Sequence, residues 1–306
     1  MGDFLNPRFV CLKIDAEKGE GKTLAKRYGI TSYPTFLVVD TMGQEIGRKV
    51  SGGSIPGFIA AIERLIDPEK SPERLKERYD NGERSADLIE AYAIFLKEKA
   101  YKDRKYDRDM LAYVNAMVKD YYAGLNDVER LKVENLFVYI DYTQSLTDES
   151  TRFMINHQND FPAEISDRIH RRVKGVYVDE INNYFSGKRN YNASVYRELE
   201  DYVESMNSDE KRNYELLLRF IEKHEAGNYK TYLSFCARKY KALPEYARLR
   251  LIESLPILVC TDDCSVLQLA DHFVRFQLKD MSTNEISFAV KTIKILEAKI
   301  NNTESR

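Results

Sequence analysis

The sequence has no tryptophan, and in 306 residues it has only four cysteines and four histidines. So few cysteines in so long a chain do not make a disulfide scaffold. The histidines (His157, His170, His224 and His272) show no ligand spacing such as His-x3-His, so they read as scattered solvated or core imidazoles. No apolar run approaches the roughly 20 residues that a membrane-spanning helix needs. Neither sign of charge dominates: 47 lysines and arginines face 49 aspartates and glutamates, so net charge implies no polyanion and no nucleic-acid partner is expected. A Gly-rich dinucleotide fingerprint, a Ser/His/Asp order and a recognisable pair of carboxylates are all missing, and no cofactor is expected. Gly19-Glu20-Gly21-Lys22-Thr23 does end in Gly-Lys-Thr. The first glycine of a phosphate loop would fall at Ala16, so that pattern fails. Tyrosine, by contrast, is plentiful at 21, spread along the chain as amphipathic packing residues.

The most informative stretch is Gly29-Ile30-Thr31-Ser32-Tyr33-Pro34-Thr35-Phe36-Leu37-Val38-Val39-Asp40. Residues 36–39 are a short apolar, β-rich run bounded by turn residues, which predicts a strand covered on both faces. Pro34 cannot donate to a ladder, so it belongs at the strand's entry, and Tyr33 before it is pushed to extended geometry. A cis Tyr33–Pro34 bond is expected at such an entry.

Taken with its neighbours, this stretch resembles the second half of a thioredoxin domain. Phe9-Val10-Cys11-Leu12-Lys13-Ile14-Asp15 is similar to the family's parallel strand ending in aspartate, and Thr23-Leu24-Ala25-Lys26-Arg27-Tyr28-Gly29-Ile30 to the short helix after it. Tyr33-Pro34-Thr35 matches the cis-proline loop, Gly43-Gln44-Glu45-Ile46-Gly47-Arg48 the closing hairpin, and residues 54–65 the final helix. The resemblance covers about residues 3–67. It implies an α/β partial thioredoxin-like fold at the N-terminus, in a family of thiol–disulfide oxidoreductases that work through a Cys-x-x-Cys pair at a helix start. That pair would lie upstream of Met1, and Gly2-Asp3-Phe4-Leu5-Asn6 resembles the end of its helix; Met1 therefore reads as an internal methionine of a longer protein. The resemblance also places the family's central strand between 9–14 and 35–39. Without it, these two would present long apolar edges. Three outcomes are expected: direct pairing in a small rearranged sheet, another chain filling the gap, or poor order across 1–55.

Asp67-Pro68-Glu69-Lys70-Ser71-Pro72 reads as a linker over 68–72, with Ser71 as an N-cap and Pro72 at the first helical position. From 72 to 300 the pattern is helical. Leu88, Tyr92, Phe95 and Lys99 share a face, as do Leu111, Val114, Val118 and Tyr121. The i, i+3, i+4, i+7 spacing recurs at Tyr214, Leu217, Leu218, Ile221 and at Ile286, Ala289, Val290, Ile293. Asn207 with Glu210 and Ser282 with Glu285 have capping-box spacing. Breaks are expected at Asn81-Gly82, Gly124-Leu125-Asn126, Gly187, Ala226-Gly227-Asn228, Leu243-Pro244 and Thr261-Asp262-Asp263. The expected architecture is an all-α region of packed antiparallel helical hairpins, an irregular α-solenoid, with a disordered tail over 301–306.

Tyr33 and Pro34 are the site candidates. In the family that Tyr33-Pro34 resembles, the residue before the cis-proline faces the active-site cysteines, and its backbone pairs with an extended client segment. A plain proline turn feeding a strand is the competing reading. Cys11 is expected in a buried strand and Cys236 in a helix core, both inert. Cys260-Thr261-Asp262-Asp263-Cys264 gathers two thiols and two aspartates. Cys-x3-Cys supplies two of the four ligands that a structural zinc wants, and Asp262-Asp263 suits a helix N-cap, so neither Cys260 nor Cys264 is assigned a metal. Arg168, His170, Arg171, Arg172 and Lys174 read as a solvated helix face.

The resemblance implies a thiol–disulfide oxidoreductase acting on protein clients, exported to the periplasm in several bacterial members that carry a long helical C-terminal region, with a cytoplasmic home the alternative. This chain holds no Cys-x-x-Cys, so it is expected to be redox-inactive and to keep the docking half of the role. Expected partners are protein or peptide clients at the cis-proline loop and helical surface, and an oligomer covering the strand edges. The alternative is a non-enzymatic helical scaffold with a thioredoxin-like cap.

Overall fold

The computed structural model describes residues 1–50, 52, 55–101, 106–206 and 210–304, and most of these are helical. The chain divides into two compact units, one of Met1–Tyr142 with Asp160–Ile165, the other of Thr143–Asn159 with Ser166–Arg306. No helix among the described residues is long and apolar enough to cross a membrane.

The first unit opens with α1 (Gly2–Leu5) and α2 (Glu20–Arg27), then β1 (Thr35–Val39), β2 (Glu45–Val50) and α3 (Ile55–Ile66). β1 and β2 form a two-stranded antiparallel sheet with a bulge at Val38/Val39. α3 packs on this hairpin: Val38, Phe58 and Ile62 form a small core with Phe4, Leu5, Phe9 and Leu65 against it, and the Phe36 and Phe58 rings meet edge-on at 4.7 Å. Gly21 is buried at the start of α2 because any Cβ there would lie 2.0 Å from the Asp15 carbonyl oxygen. A glycine in the Gly-Lys-Thr string thus serves close packing, not a phosphate.

Three expectations for this region are corrected. Residues 9–14 are not a strand but irregular chain, and Val10 and Leu12 stand 91 % and 79 % exposed. A strand exists only where a neighbour completes its ladder, and none lies beside this segment among the described residues. Cys11 is accordingly exposed rather than buried. β1 is covered on one face, not both: Val38 is buried and Phe36 leans on α3, while Val39 on the other face is exposed. Of the outcomes expected for the two strands, direct pairing does not occur.

The Asp67–Ser71 stretch folds as read. Asp67 accepts from the Glu69 N–H at 3.0 Å over a 3-10 turn (Pro68–Lys70), and Ser71 caps α4 (Pro72–Asp80) with Pro72 in its first turn. The chain does not part there, since α3 packs on α5 (Ala86–Ala100) and Arg64 pairs with Glu98. At the α4–α5 corner Gly82 has φ +91°. Glu83 there takes two bonds from Arg78, at 2.9 and 2.6 Å, and one from the Ser85 hydroxyl at 2.7 Å. Arg78 first, then Ser85, lower the Glu83 carboxyl from 4.5 to about 2. A depressed carboxyl stabilises above its unfolded value and loses that contribution as pH falls towards its folded one. Glu83→Gln should therefore flatten the acid dependence of stability between about pH 4.5 and 2, read as thermal melts across that range. The unit continues through α6 (Arg108–Ala123), α7 (Asp127–Arg130) and α8 (Leu136–Tyr142), with α5 against α6.

The described residues of the second unit form helices joined by turns and no strand: α9 (Glu149–Asn156), most of α10 (Ala163–Phe185), then α11 (Ala193–Glu204), α12 (Glu210–Glu225), α13 (Tyr229–Lys239), α14 (Glu245–Leu258), α15 (Cys264–Gln277) and α16 (Thr283–Glu304). Sequence neighbours pack on one another, α11 on α12, α12 on α13 and α15 on α16. Helices end at the expected breaks, with Gly187 at φ +65° and Gly227 at +74°. Ser282 and Glu285 cap α16 reciprocally, at 2.7 and 3.4 Å. The Asn207–Glu210 box falls outside the described residues. Three readings change. α16 buries Ala289, Thr292, Ile293 and Leu296 and leaves Ile286 and Val290 exposed, so its inner face is rotated from the expected one. Residues 301–304 continue α16 where a disordered tail was expected. Arg172 leaves the solvated cluster, donating from Nε to the Thr143 hydroxyl at 2.9 Å and from Nη2 to the Thr143 carbonyl.

Candidate functional site

The Tyr33–Pro34 bond is cis, and Pro34 stands directly before β1, where it withholds no ladder hydrogen bond. The Thr35 hydroxyl donates to the Ser32 carbonyl at 2.7 Å and closes the turn. At the far end Asp40 accepts from the Met42 and Gln44 N–H groups, both at 2.8 Å, with Gly43 at φ +73°. α2 braces this hairpin: Tyr28 donates to the Gly43 carbonyl at 2.9 Å, and Arg48 reaches back to the Tyr28 carbonyl at 2.8 Å.

One edge of β1 pairs with β2. The other carries no ladder among the described residues, so alternate N–H and C=O groups of β1 face outward unpaired. β1 holds no charged residue, whereas β2 carries Glu45, Arg48 and Lys49. Exposed apolar side chains lie on β1 and at its entry: Tyr33 is 58 % exposed, and Phe36 and Val39 are also exposed. Pro34, a neutral open edge and a rim of exposed apolar groups form a surface suited to an added strand. Cys11 is the only thiol before residue 236.

The remaining candidates do not converge on a site. Cys236 is fully buried, and burial pushes its thiol up to about 12, which leaves it inert. Cys260 is exposed and Cys264 half-buried at the start of α15. Asp263 is the N-cap of that helix, accepting from the Ser265 N–H at 2.9 Å and its hydroxyl at 2.6 Å. The histidines stay apart: His157 stacks on Phe153 at 4.3 Å, His170 meets Ser166 and Asn159, and His224 meets Glu225 and the Leu258 carbonyl. Among the described residues no three His, Cys, Asp or Glu side chains are placed to hold a metal.

Sequence reasoning missed a buried ion pair in the second unit. Glu180 is buried and meets Arg189, Nε to Oε1 and Nη2 to Oε2, both at 3.3 Å. The only signal for it was a glutamate in register with the apolar positions of α10. Comparison of this chain with protein-family models, with curated proteins and with solved structures finds no match.

Proposed function

We propose that the chain is a thioredoxin-like client-binding protein in which the free edge of β1, entered through the cis Tyr33–Pro34 bond, takes an extended polypeptide segment as an added strand. The observation that carries this reading is the pairing of an uncharged, unladdered edge with exposed Tyr33, Phe36 and Val39. Residues 1–67 are then a partial thioredoxin-like fold. The helices that follow in the chain are an irregular array of antiparallel hairpins that offers further surface for clients. The family's thiol–disulfide chemistry is expected to be absent from residues 1–67, because Cys11, their one thiol, cannot both attack and resolve. The exported members of that family point to the periplasm.

Two substitutions test the docking. Tyr33→Ala removes an exposed side chain, and Val39→Lys puts a charge on the open edge, the device by which natural edge strands refuse a partner. Fluorescence anisotropy with reduced, carboxymethylated α-lactalbumin should show each weakening binding by about tenfold, equal to about 1.4 kcal/mol. Binding that survives both variants would place the client on the helices and favour the scaffold alternative. In the insulin-reduction assay the chain should give no turnover, and turnover abolished by Cys11→Ser would contradict the redox part.

A further inference from the structure

We infer that residues 10–14 of one copy add to the free edge of β1 in a second copy, so that two chains pair reciprocally. The inference rests on the reading that this edge accepts strands.

The first unit holds two unfinished halves of a ladder. Residues 10–14 make no backbone hydrogen bond among the described residues, and the outer edge of β1 makes none either. Both are anchored in one small core, the first through Phe9 and the second through Val38, yet they do not meet within one chain. They match in length, five residues each. They also match in chemistry: β1 is uncharged, and 10–14 carries Lys13 alone. In a parallel register with Leu12 opposite Val38, Val10, Leu12 and Ile14 join Phe36 and Val38 on the face that α3 covers, and Cys11 and Lys13 turn to solvent. Val10, Leu12 and Ile14 alternate, as strand residues do, and are exposed. Exchange between two copies satisfies both halves at once and closes on itself, so it stops at a dimer rather than a fibre. The outer edge of β2, with Glu45, Arg48 and Lys49, is the less hospitable one. A client at β1 would compete with the partner copy for the same edge.

Light scattering on a sizing column across a dilution series tests this. The wild-type chain should run at twice the mass of one chain when concentrated and fall towards one on dilution. Leu12→Lys, at a solvated position that leaves the monomer's contacts intact, should stay monomeric while still binding a fluorescent, reduced peptide of residues 9–14. Val39→Lys should lose both self-pairing and peptide binding. A wild-type chain that is monomeric throughout, or a dimer that both variants preserve, overturns the inference. If the chain is monomeric but still binds carboxymethylated α-lactalbumin at β1, self-pairing alone fails. If neither polypeptide nor peptide binds, the docking reading fails with it.

Discussion

Phe220→Ala should destabilise the second unit by about 3–5 kcal/mol. Phe220 on α12 is 1 % exposed and meets Phe185 of α10 edge-on at 5.6 Å and Phe235 of α13 at 4.9 Å. Truncation removes the transfer free energy of a buried ring, leaves a cavity, and loses two edge-to-face contacts of about 0.5–1.5 kcal/mol each. Phe220→Leu keeps most of the volume and should lose less than half as much. Urea unfolding followed by circular dichroism separates the two, and near-equal midpoints for Phe220→Ala and wild type would show the ring is not packed between three helices.

Arg189→Ala should lower stability by about 2–3 kcal/mol at neutral pH, through the charge it strands rather than the bonds it removes. Glu180 is 2 % exposed, while Arg189 is 38 % exposed and also donates to the Gln144 carbonyl at 3.2 Å. Solvent at Arg189 keeps the loss at or below the bottom of the roughly 3–5 kcal/mol range for a broken buried pair. Burial raises the Glu180 carboxyl above the ordinary glutamate range; Arg189 opposes that, and Asp148 and Asp179 add to it. A carboxyl with a raised folded pKa costs stability above that value, and the cost fades as pH falls back towards the unfolded one. Without Arg189 the carboxyl rises further, so the Arg189→Ala defect should shrink on mild acidification. Glu180→Gln removes the charge and keeps the shape, so its loss should be smaller and nearly independent of pH.

Local signals carried much of the helical region. Glycine at a helix end, an Asn or Ser cap and the 3.6-residue apolar period are short-range, and they placed the breaks at Gly82, Gly187 and Gly227. They did not give the rotation of α16, where Thr292 and Leu296 are buried and the expected Ile286 and Val290 are exposed, because only the neighbouring helix decides which stripe faces in. Arg172 was misread for the same reason: its partner Thr143 lies 29 residues away. Residues 9–14 show the limit most clearly. Their composition is that of a strand, but a strand is a property of a pair. The cis bond at Tyr33–Pro34 and the β1–β2 hairpin were legible because turn chemistry sits within a few residues. The open far edge of β1 was legible only through the family resemblance, which leaves a strand missing beside it; what fills that edge depends on the rest of the fold.

Amide hydrogen exchange across β1 tests the docking edge most directly. In the chain alone, at concentrations where it is monomeric, alternate N–H groups of residues 35–39 should exchange freely and the others, bonded to β2, slowly. Adding carboxymethylated α-lactalbumin should slow the free set and leave β2 unchanged. Exchange at β1 that does not respond to the added polypeptide, while binding is measured elsewhere on the chain, would contradict the account.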